Sequence, residues 1–390
     1  MKVLFVHDAT FKYDKDGKYY GTSVNPKTLS RYKYLSDDIT VLIRTEPFKL
    51  GENKEKYTKI TDDFKVVHIP NYNSIKGRLI DIKNVKKTVT KLVNEADIVF
   101  ARFSGPTGKI AARECAKMGK PYVVECVGCS WDSLWNHSIK GKLIAFYSYL
   151  NTRNLIKNAP YIVYVTNEFL QKRYPTKGKW ISASNVEIDD MNNIYIDQRI
   201  ERIRNKSKNE PIILGTAAAI DVPYKGHAYV IKAIARLNKK GYNYKYQVIG
   251  TGNKKRLLKI AKKYKIEDKI EFLGVLRQDK VFEWIEDLDI YIQPSLTEGL
   301  PRALIEAMSR GCPCIASNAG GIPELIEDEY IFKKGNVKDL IRILLSFDKE
   351  KLQSQAIRNF KYSFNYKKEF LDQRRREFYM KVAEETKLIK

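Results

Sequence analysis

The chain has 390 residues, 43% hydrophobic and 30% charged, which suits two domains with cores of their own and excludes wholesale disorder. Lysine and arginine outnumber aspartate and glutamate 71 to 46, a formal net charge of +25, so the expected partner is anionic or the protein lies near an anionic surface. No apolar run approaches the ~20 residues of a membrane-spanning helix, and MKVLFVHDA runs into a charged loop instead of a secretory signal, so the expected location is the cytoplasm.

Residues 2–6 read as a buried parallel strand, followed after His7-Asp8 by a loop. A helix starts near Asn25-Pro26, where proline suits a first turn. Short apolar runs at 39–44, 65–69, 98–101, 122–126 and 162–165 alternate with helical patterns such as 82–94 and 108–118. Residues 189–210 are polar and break the pattern. The alternation then restarts with strands at 212–215, 246–249, 270–273, 290–293 and 313–317. Helices are expected between them at 227–237, 254–264, 279–285 and 301–310. Strands alternating with helices imply parallel sheets covered on both faces. The expectation is α/β: two doubly wound, Rossmann-like units, residues 1–190 and 191–365, facing each other across a cleft. The charged, helical tail, 351–390, reads as a closing helix, its last part (366–390) packing back on the first unit. Ligands of such sheets bind outside the carboxyl ends of the strands, so the chemistry is sought in those loops.

Cys126-Val127-Gly128-Cys129 is a C-x-x-C, the spacing of a redox pair or half a zinc site. No second such pair exists, Cys312-Pro313-Cys314 has the wrong spacing, and the chain has four histidines, so no metal is expected. Five cysteines without an export signal fit reduced thiols. The positive excess is spread over both halves without a dense basic block, which fits a lysine-rich solvated surface or a membrane-surface enzyme. The stretch 140–157, with Leu143, Phe146, Tyr147 and Leu150, is basic and amphipathic. It suits a cytoplasmic membrane face, although burial of those residues in the core is the preferred expectation.

The most informative run is Gln293-Pro-Ser-Leu-Thr-Glu-Gly-Leu-Pro-Arg-Ala-Leu-Ile-Glu-Ala-Met-Ser-Arg-Gly311. Glu298 sits on the loop after a strand, and Glu306 about two turns into the next helix. Gly299, Leu300 and Pro301 open that helix, whose first-turn N–H groups offer an anion site. Two carboxylates around a helix N-terminus suit a nucleotide sugar: N–H groups for phosphate and sugar oxygens, carboxylates for hydroxyls. Taken singly, Glu298 is an ordinary loop acid and Glu306 an exposed helix residue.

Glu298 to Glu306 is an E-x7-E spacing, and the run resembles retaining glycosyltransferases of family 4, which have the GT-B fold. The resemblance continues through Ile315-Ala-Ser-Asn-Ala-Gly-Gly-Ile-Pro-Glu324, Val248-Ile-Gly-Thr-Gly252, Phe272-Leu-Gly-Val-Leu276 and Lys225-Gly226, nearly end to end over 211–330. Asn185-Val186-Glu187 resembles the segment that precedes the family's second domain. The first half is only loosely similar. The resemblance implies that Glu306 binds the ribose hydroxyls and that Glu298, with the N–H groups of Gly299 and Leu300, holds the donor sugar. Val275 and Leu276 lie beside the base, and Lys225, followed by Gly226, neutralises the diphosphate. Gly250 and Gly252 read equally as nucleotide contacts or as a plain strand-to-helix turn. Gly21-Thr22 resembles a glycine-rich loop over the donor phosphates, without its second glycine. For the acceptor, Glu125, Trp131, Asp132 and His137 are candidates, read equally as packing and capping residues.

Two features depart from the family. The segment from Gly215 to Lys225 lacks the usual phosphate-binding arginine, which leaves Arg302 or Arg277 to supply it, and the strand 122–126 offers no histidine near the reacting carbon. The implied activity is retaining transfer from a nucleoside-diphosphate sugar, UDP favoured, to a saccharide acceptor, lipid-linked, in surface polysaccharide synthesis. The sugar nucleotide is a co-substrate, and no cofactor is called for. The missing arginine motivates an alternative, an inactive partner subunit of the same fold. A nucleic-acid-binding protein, suggested by charge alone, lacks any dense basic helix, zinc motif or RNP-like strand.

Overall fold

The structure, a computed structural model, describes residues 1–52, 54–70, 75–103 and 105–389, and of residues 75–80 only the helical backbone. Two compact units divide it. The first comprises Met1–Ser130, Phe146–Ala183 and the chain from Leu371 onward; the second comprises Trp131–Ala145 and Ser184–Phe370.

The strands of the first unit are β1 (Lys2–Tyr13), β2 (Tyr19–Gly21), β3 (Asp38–Pro47), β4 (Thr58–Lys59), β5 (Phe64–Ile69), β6 (Ile98–Arg102), β7 (Tyr122–Cys126), β8 (Tyr161–Tyr164) and β9 (Lys179–Ser182). Seven are parallel, in the order β5-β3-β1-β6-β7-β8-β9, and β2 and β4 add a short antiparallel edge. The central strands are continuous apolar runs because helices cover both faces of a parallel sheet. β1 does not stop at His7-Asp8 as expected. It continues to Tyr13 with a register shift between Val6 and Thr10, and Lys12 and Tyr13 pair with β2. The helix expected from Asn25 is a single turn, Pro26–Leu29, held by reciprocal Asn25 and Thr28 caps.

The second sheet is wholly parallel. Its strands are β10 (Ile212–Ala217), β11 (Tyr244–Ile249), β12 (Ile270–Gly274), β13 (Ile290–Gln293), β14 (Cys314–Ser317) and β15 (Ile331–Phe332), in the order β12-β11-β10-β13-β14-β15. That is the doubly wound order of dinucleotide-binding domains, with the topological switch between β10 and β13.

Three expectations need correction. The polar stretch 189–210 holds a helix, Ile194–Asn205, which turns Ile203 and Arg199 inward; Arg199 donates to the Leu288 and Ile285 carbonyls. The tail is two helices, Lys349–Ser363 and Lys368–Glu385, and only the second contributes Phe378, Tyr379 and Val382 to the first unit's core; Lys390 lies outside the described residues. Finally, the helix Ile139–Lys157 does not bury Leu143, Phe146, Tyr147 and Leu150. All four are exposed, and Gly141, Ala145, Thr152 and Ile156 face inward instead.

Candidate functional site

The site is built on the β10/β13 switch point, where the strand ends diverge and leave room for a ligand. After β10 the chain runs through Ala218–Asp221 into the turn Pro223–Lys225. Gly226 then takes the left-handed φ of +82° and starts the helix His227–Asn238. A Cβ on Gly226 would stand 1.9 Å from the Pro294 carbonyl oxygen, so only glycine lets the Lys225 turn lie against the chain leaving β13. Leu296 N–H closes the contact on the Tyr224 carbonyl at 2.7 Å. Gly226→Ala is expected to cost about 1–3 kcal/mol, read as a lower denaturant midpoint.

This approach brings Lys225 Nζ to 2.7 Å from Glu298 Oε1, with both side chains mostly buried. The same oxygen accepts from Gln293 Nε2 at 3.1 Å, and Nε2 also reaches Ser295 Oγ at 3.0 Å. The buried Tyr291 hydroxyl donates to Gln293 Oε1 at 3.0 Å and accepts from Ala217 N at 3.3 Å. A polar chain therefore leads from the end of β10 through Tyr291 and Gln293 to Glu298, and fixes its carboxylate against Lys225. From the far side, Gly321 N–H donates to the Gly299 carbonyl at 2.7 Å. Gly320, at φ +60°, lets that loop pass where a Cβ would meet the Glu298 carbonyl oxygen at 2.0 Å.

Leu300 and Pro301 are buried, and the helix Arg302–Ser309 begins with extended Pro301 and no side-chain cap. Its first-turn N–H groups are thus available to an anion. Arg302 is exposed. Glu306, on the second turn, is half-buried and accepts from Gln278 Nε2 at 3.3 Å. Burial pushes its carboxyl above the ordinary value, against the pull of Arg302 and Gln278 and with help from Glu187. Gln278 opens the helix after β12, three residues beyond exposed Val275 and two beyond half-buried Leu276. Gln278 therefore links the segment that carries the base-side candidates to Glu306. Arg277 pairs with Asp279 at 3.4 Å. The glycine loop after β11 packs on both neighbours: Ile220 N–H, on the segment leaving β10, donates to the Thr251 carbonyl at 2.7 Å, and Gly250 N–H donates to the Gly274 carbonyl at the end of β12 at 2.6 Å. A Cβ would stand 2.1 Å from the Ala218 carbonyl oxygen at Gly250 and 2.3 Å from Asp221 Oδ1 at Gly252, so the close approach requires glycine at both.

Sequence reasoning assigned no role to Tyr291, Gln293, Gln278 or His227. His227 is buried behind Lys225-Gly226. Its Nε2 lies 3.1 Å from the Ala219 carbonyl, which only accepts, so Nε2 carries the proton and Nδ1 takes the Tyr246 hydroxyl at 2.9 Å. Burial, against the Ala219 bond and with Arg256 and Lys225 nearby, brings its pKa down to about 4. This neutral ring ties the loop after β10 to β11. A buried polar residue at a strand end, and a histidine directly after Lys-Gly, were the available signals.

The remaining candidates belong to other elements. Gly21 ends β2, where a Cβ would meet the Val24 carbonyl oxygen at 2.0 Å; the exposed Thr22 offers its carbonyl to Asn25 Nδ2. Glu125 is buried at the end of β7, bonded to the Tyr32 hydroxyl at 2.7 Å and the Tyr379 hydroxyl at 3.3 Å. Burial alone would raise its carboxyl, but Arg102, Arg31 and the Tyr32 bond outweigh that and hold it below the usual range. These contacts tie Glu125 into the first unit's core. Trp131 and Asp132 are half-buried and His137 exposed, on the helix Ser130–His137, where Trp131 stacks on Trp135 at 5.3 Å. All five cysteines are buried free thiols.

The sequence profile of the glycosyl transferases group 1 family matches residues 197–363, a span that contains this site. Over 349 residues the chain is 36% identical to Protein CapJ of Staphylococcus aureus, a match covering 88% of this chain and 85% of that one. It is 35% identical over 131 residues to the amylovoran biosynthesis glycosyltransferase AmsK of Erwinia amylovora, 31% of this chain and 32% of that protein. Among solved structures, Anabaena Alr3699/HepE in complex with UDP and glucose superposes with a TM-score of 0.66 at 18% identity, over 97% of this chain and 99% of that one.

Proposed function

This chain belongs to the group 1 glycosyltransferases, with the GT-B fold of two parallel-sheet α/β units, and we propose that it moves a sugar from a UDP-sugar to a lipid-linked saccharide with retention of anomeric configuration. The observation that carries the reading is the Lys225–Glu298 pair, 2.7 Å apart beside the uncapped helix Arg302–Ser309. The cation and the first-turn N–H groups stand where a diphosphate is best held, Glu298 is set to accept from sugar hydroxyls, and Glu306 from the ribose. UDP is favoured because a solved protein of the same fold holds it. A role in surface polysaccharide synthesis is favoured because a relative is named for amylovoran biosynthesis.

In the proposed reaction the acceptor hydroxyl oxygen bonds to the donor's anomeric carbon on the face the diphosphate leaves. The bond from that carbon to the diphosphate oxygen breaks with its electron pair, and that diphosphate takes the acceptor's proton. Lys225 and the helix N–H groups stabilise the negative charge that develops on the leaving group. Such chemistry rests on orientation and charge more than on a strong enzymic base.

Calorimetric titration of the full chain with UDP, GDP and ADP tests the donor. UDP binding that Glu306→Ala weakens is the expected result. The segment from Gly215 to Lys225 contains no arginine, which favours the inactive-partner reading as second choice; absence of binding by every nucleotide would establish it over ours. The anomeric proton coupling of the product, read by NMR, tests retention.

A further inference from the structure

Large apolar side chains on an amphipathic helix normally face the core. The helix Ile139–Lys157 reverses this. Its inward line is Gly141, Ala145, Thr152 and Ile156, mostly small residues. Gly141 lies so close that a Cβ would stand 2.2 Å from the Leu134 carbonyl oxygen. Thr152 Oγ1 accepts from Lys109 Nζ at 2.6 Å and lies 3.0 Å from Ser130 Oγ, which fixes the rotation of this end of the helix. About 200° around the axis from that line run Ile139, Leu143, Tyr147 and Leu150, at spacings of four, four and three. Their exposures are 82%, 81%, 72% and 46%.

Charge points to what covers this face. The helix carries Lys140, Lys142, Arg153 and Lys157 and no acidic residue. At 100° per residue Lys140 falls on one flank of the apolar stripe, and Lys142 and Arg153 on the other. Lys142 Nζ lies 5.3 Å from the Trp135 ring centre and Arg153 donates to the Tyr149 hydroxyl at 2.7 Å, both at the exposed flank, the position from which long basic side chains meet headgroup phosphates. Among the described residues no helix is long and apolar enough to cross a membrane, so any lipid contact of this helix is in-plane. The whole chain, at +25, adds long-range attraction to an anionic leaflet.

We propose that the face formed by Ile139, Leu143, Tyr147 and Leu150 docks on an anionic phospholipid surface and lies in the interface plane. The purpose of such docking, access to a lipid-linked acceptor, rests on the function proposed above; the docking does not, because it needs no substrate.

The experiment is flotation of the full chain with vesicles of phosphatidylcholine alone and with about a third phosphatidylglycerol, for the wild type and Leu143→Glu/Tyr147→Glu. Both side chains point outward, so the variant should keep its melting temperature and its UDP titration. The wild type should float with the anionic vesicles and not with the neutral ones, and the variant should partition roughly tenfold less or worse. A wild type that floats with neither, or a variant that floats equally well, overturns the proposal. Light scattering that finds a wild-type dimer, and a monomer in the variant, assigns the face to a second copy instead and also overturns it. The UDP titration on the same samples separates these outcomes from a failure of the donor reading, since loss of UDP binding leaves flotation untouched.

Discussion

Replacing Lys225 by alanine is expected to lower kcat by about 10²–10³-fold, the usual loss for one preorganised electrostatic group aimed at developing charge. Lys225 Nζ is held 2.7 Å from Glu298 Oε1, and its position depends on the left-handed Gly226, so the cation is placed before the donor arrives. Negative charge on the diphosphate grows as the bond to the sugar breaks, so kcat should fall further than UDP affinity. Lys225→Arg keeps the charge but not the point geometry, because a planar guanidinium cannot replace an ammonium at a single oxygen; it should recover only part of the rate. In Lys225→Ala the Glu298 carboxylate keeps its Gln293 bond. The double variant Lys225→Ala/Glu298→Gln should therefore cost much less than the sum of the singles, since both act through one contact. Initial rates with a UDP-sugar, beside UDP titration and a thermal melt, check the set. Equal rates for Lys225→Ala and wild type would remove Lys225 from the reaction. A large fall in melting temperature with a proportional loss of active enzyme would mark the pair as structural.

The second unit was largely legible because its strands are buried on both faces and read as unbroken apolar runs, and because Glu298, Glu306 and Lys225-Gly226 lie between those runs at telling spacings. Gln293 was harder. At the end of a strand it reads as the place where burial stops, yet it shares a face with Tyr291 two residues earlier, and the pair carries the polar chain to Glu298. Glu125 was readable only as an even choice between an acceptor contact and a packing residue. Its partners Tyr32 and Tyr379 are 93 and 254 residues away, and no local pattern marks contacts of that range. The helix Ile139–Lys157 shows a different limit. Periodicity tells which residues share a face but not whether that face turns inward. The deciding signal was the opposite line, Gly141, Ala145 and Thr152, whose small size permits the close approach seen at Gly141.

Glu306 is expected to trade stability for donor affinity. Burial raises its carboxyl above the ordinary 4.5, against Arg302 and Gln278, so the ionised carboxylate costs more in the unliganded fold than in the unfolded chain. A raised folded-state pKa contributes stability that is fully present below the unfolded value and lost as pH rises through the folded one. Glu306→Gln removes that cost with little change of shape, and the unliganded melting temperature should rise by about 1–3 °C at neutral pH. The advantage should shrink as the solution is acidified and the native carboxyl protonates. Binding should move the other way. If the carboxylate accepts from the ribose hydroxyls, losing a charged acceptor costs about 1.5–3 kcal/mol, roughly 10–150-fold in Kd for UDP. Wild-type affinity should also weaken as pH falls through the raised pKa, while the Gln variant stays flat over the same range. Titrations of both proteins across pH, with melting curves on the same samples, test both halves. A variant that melts higher but binds UDP like the wild type would make Glu306 a strained structural acid and remove it from the donor site.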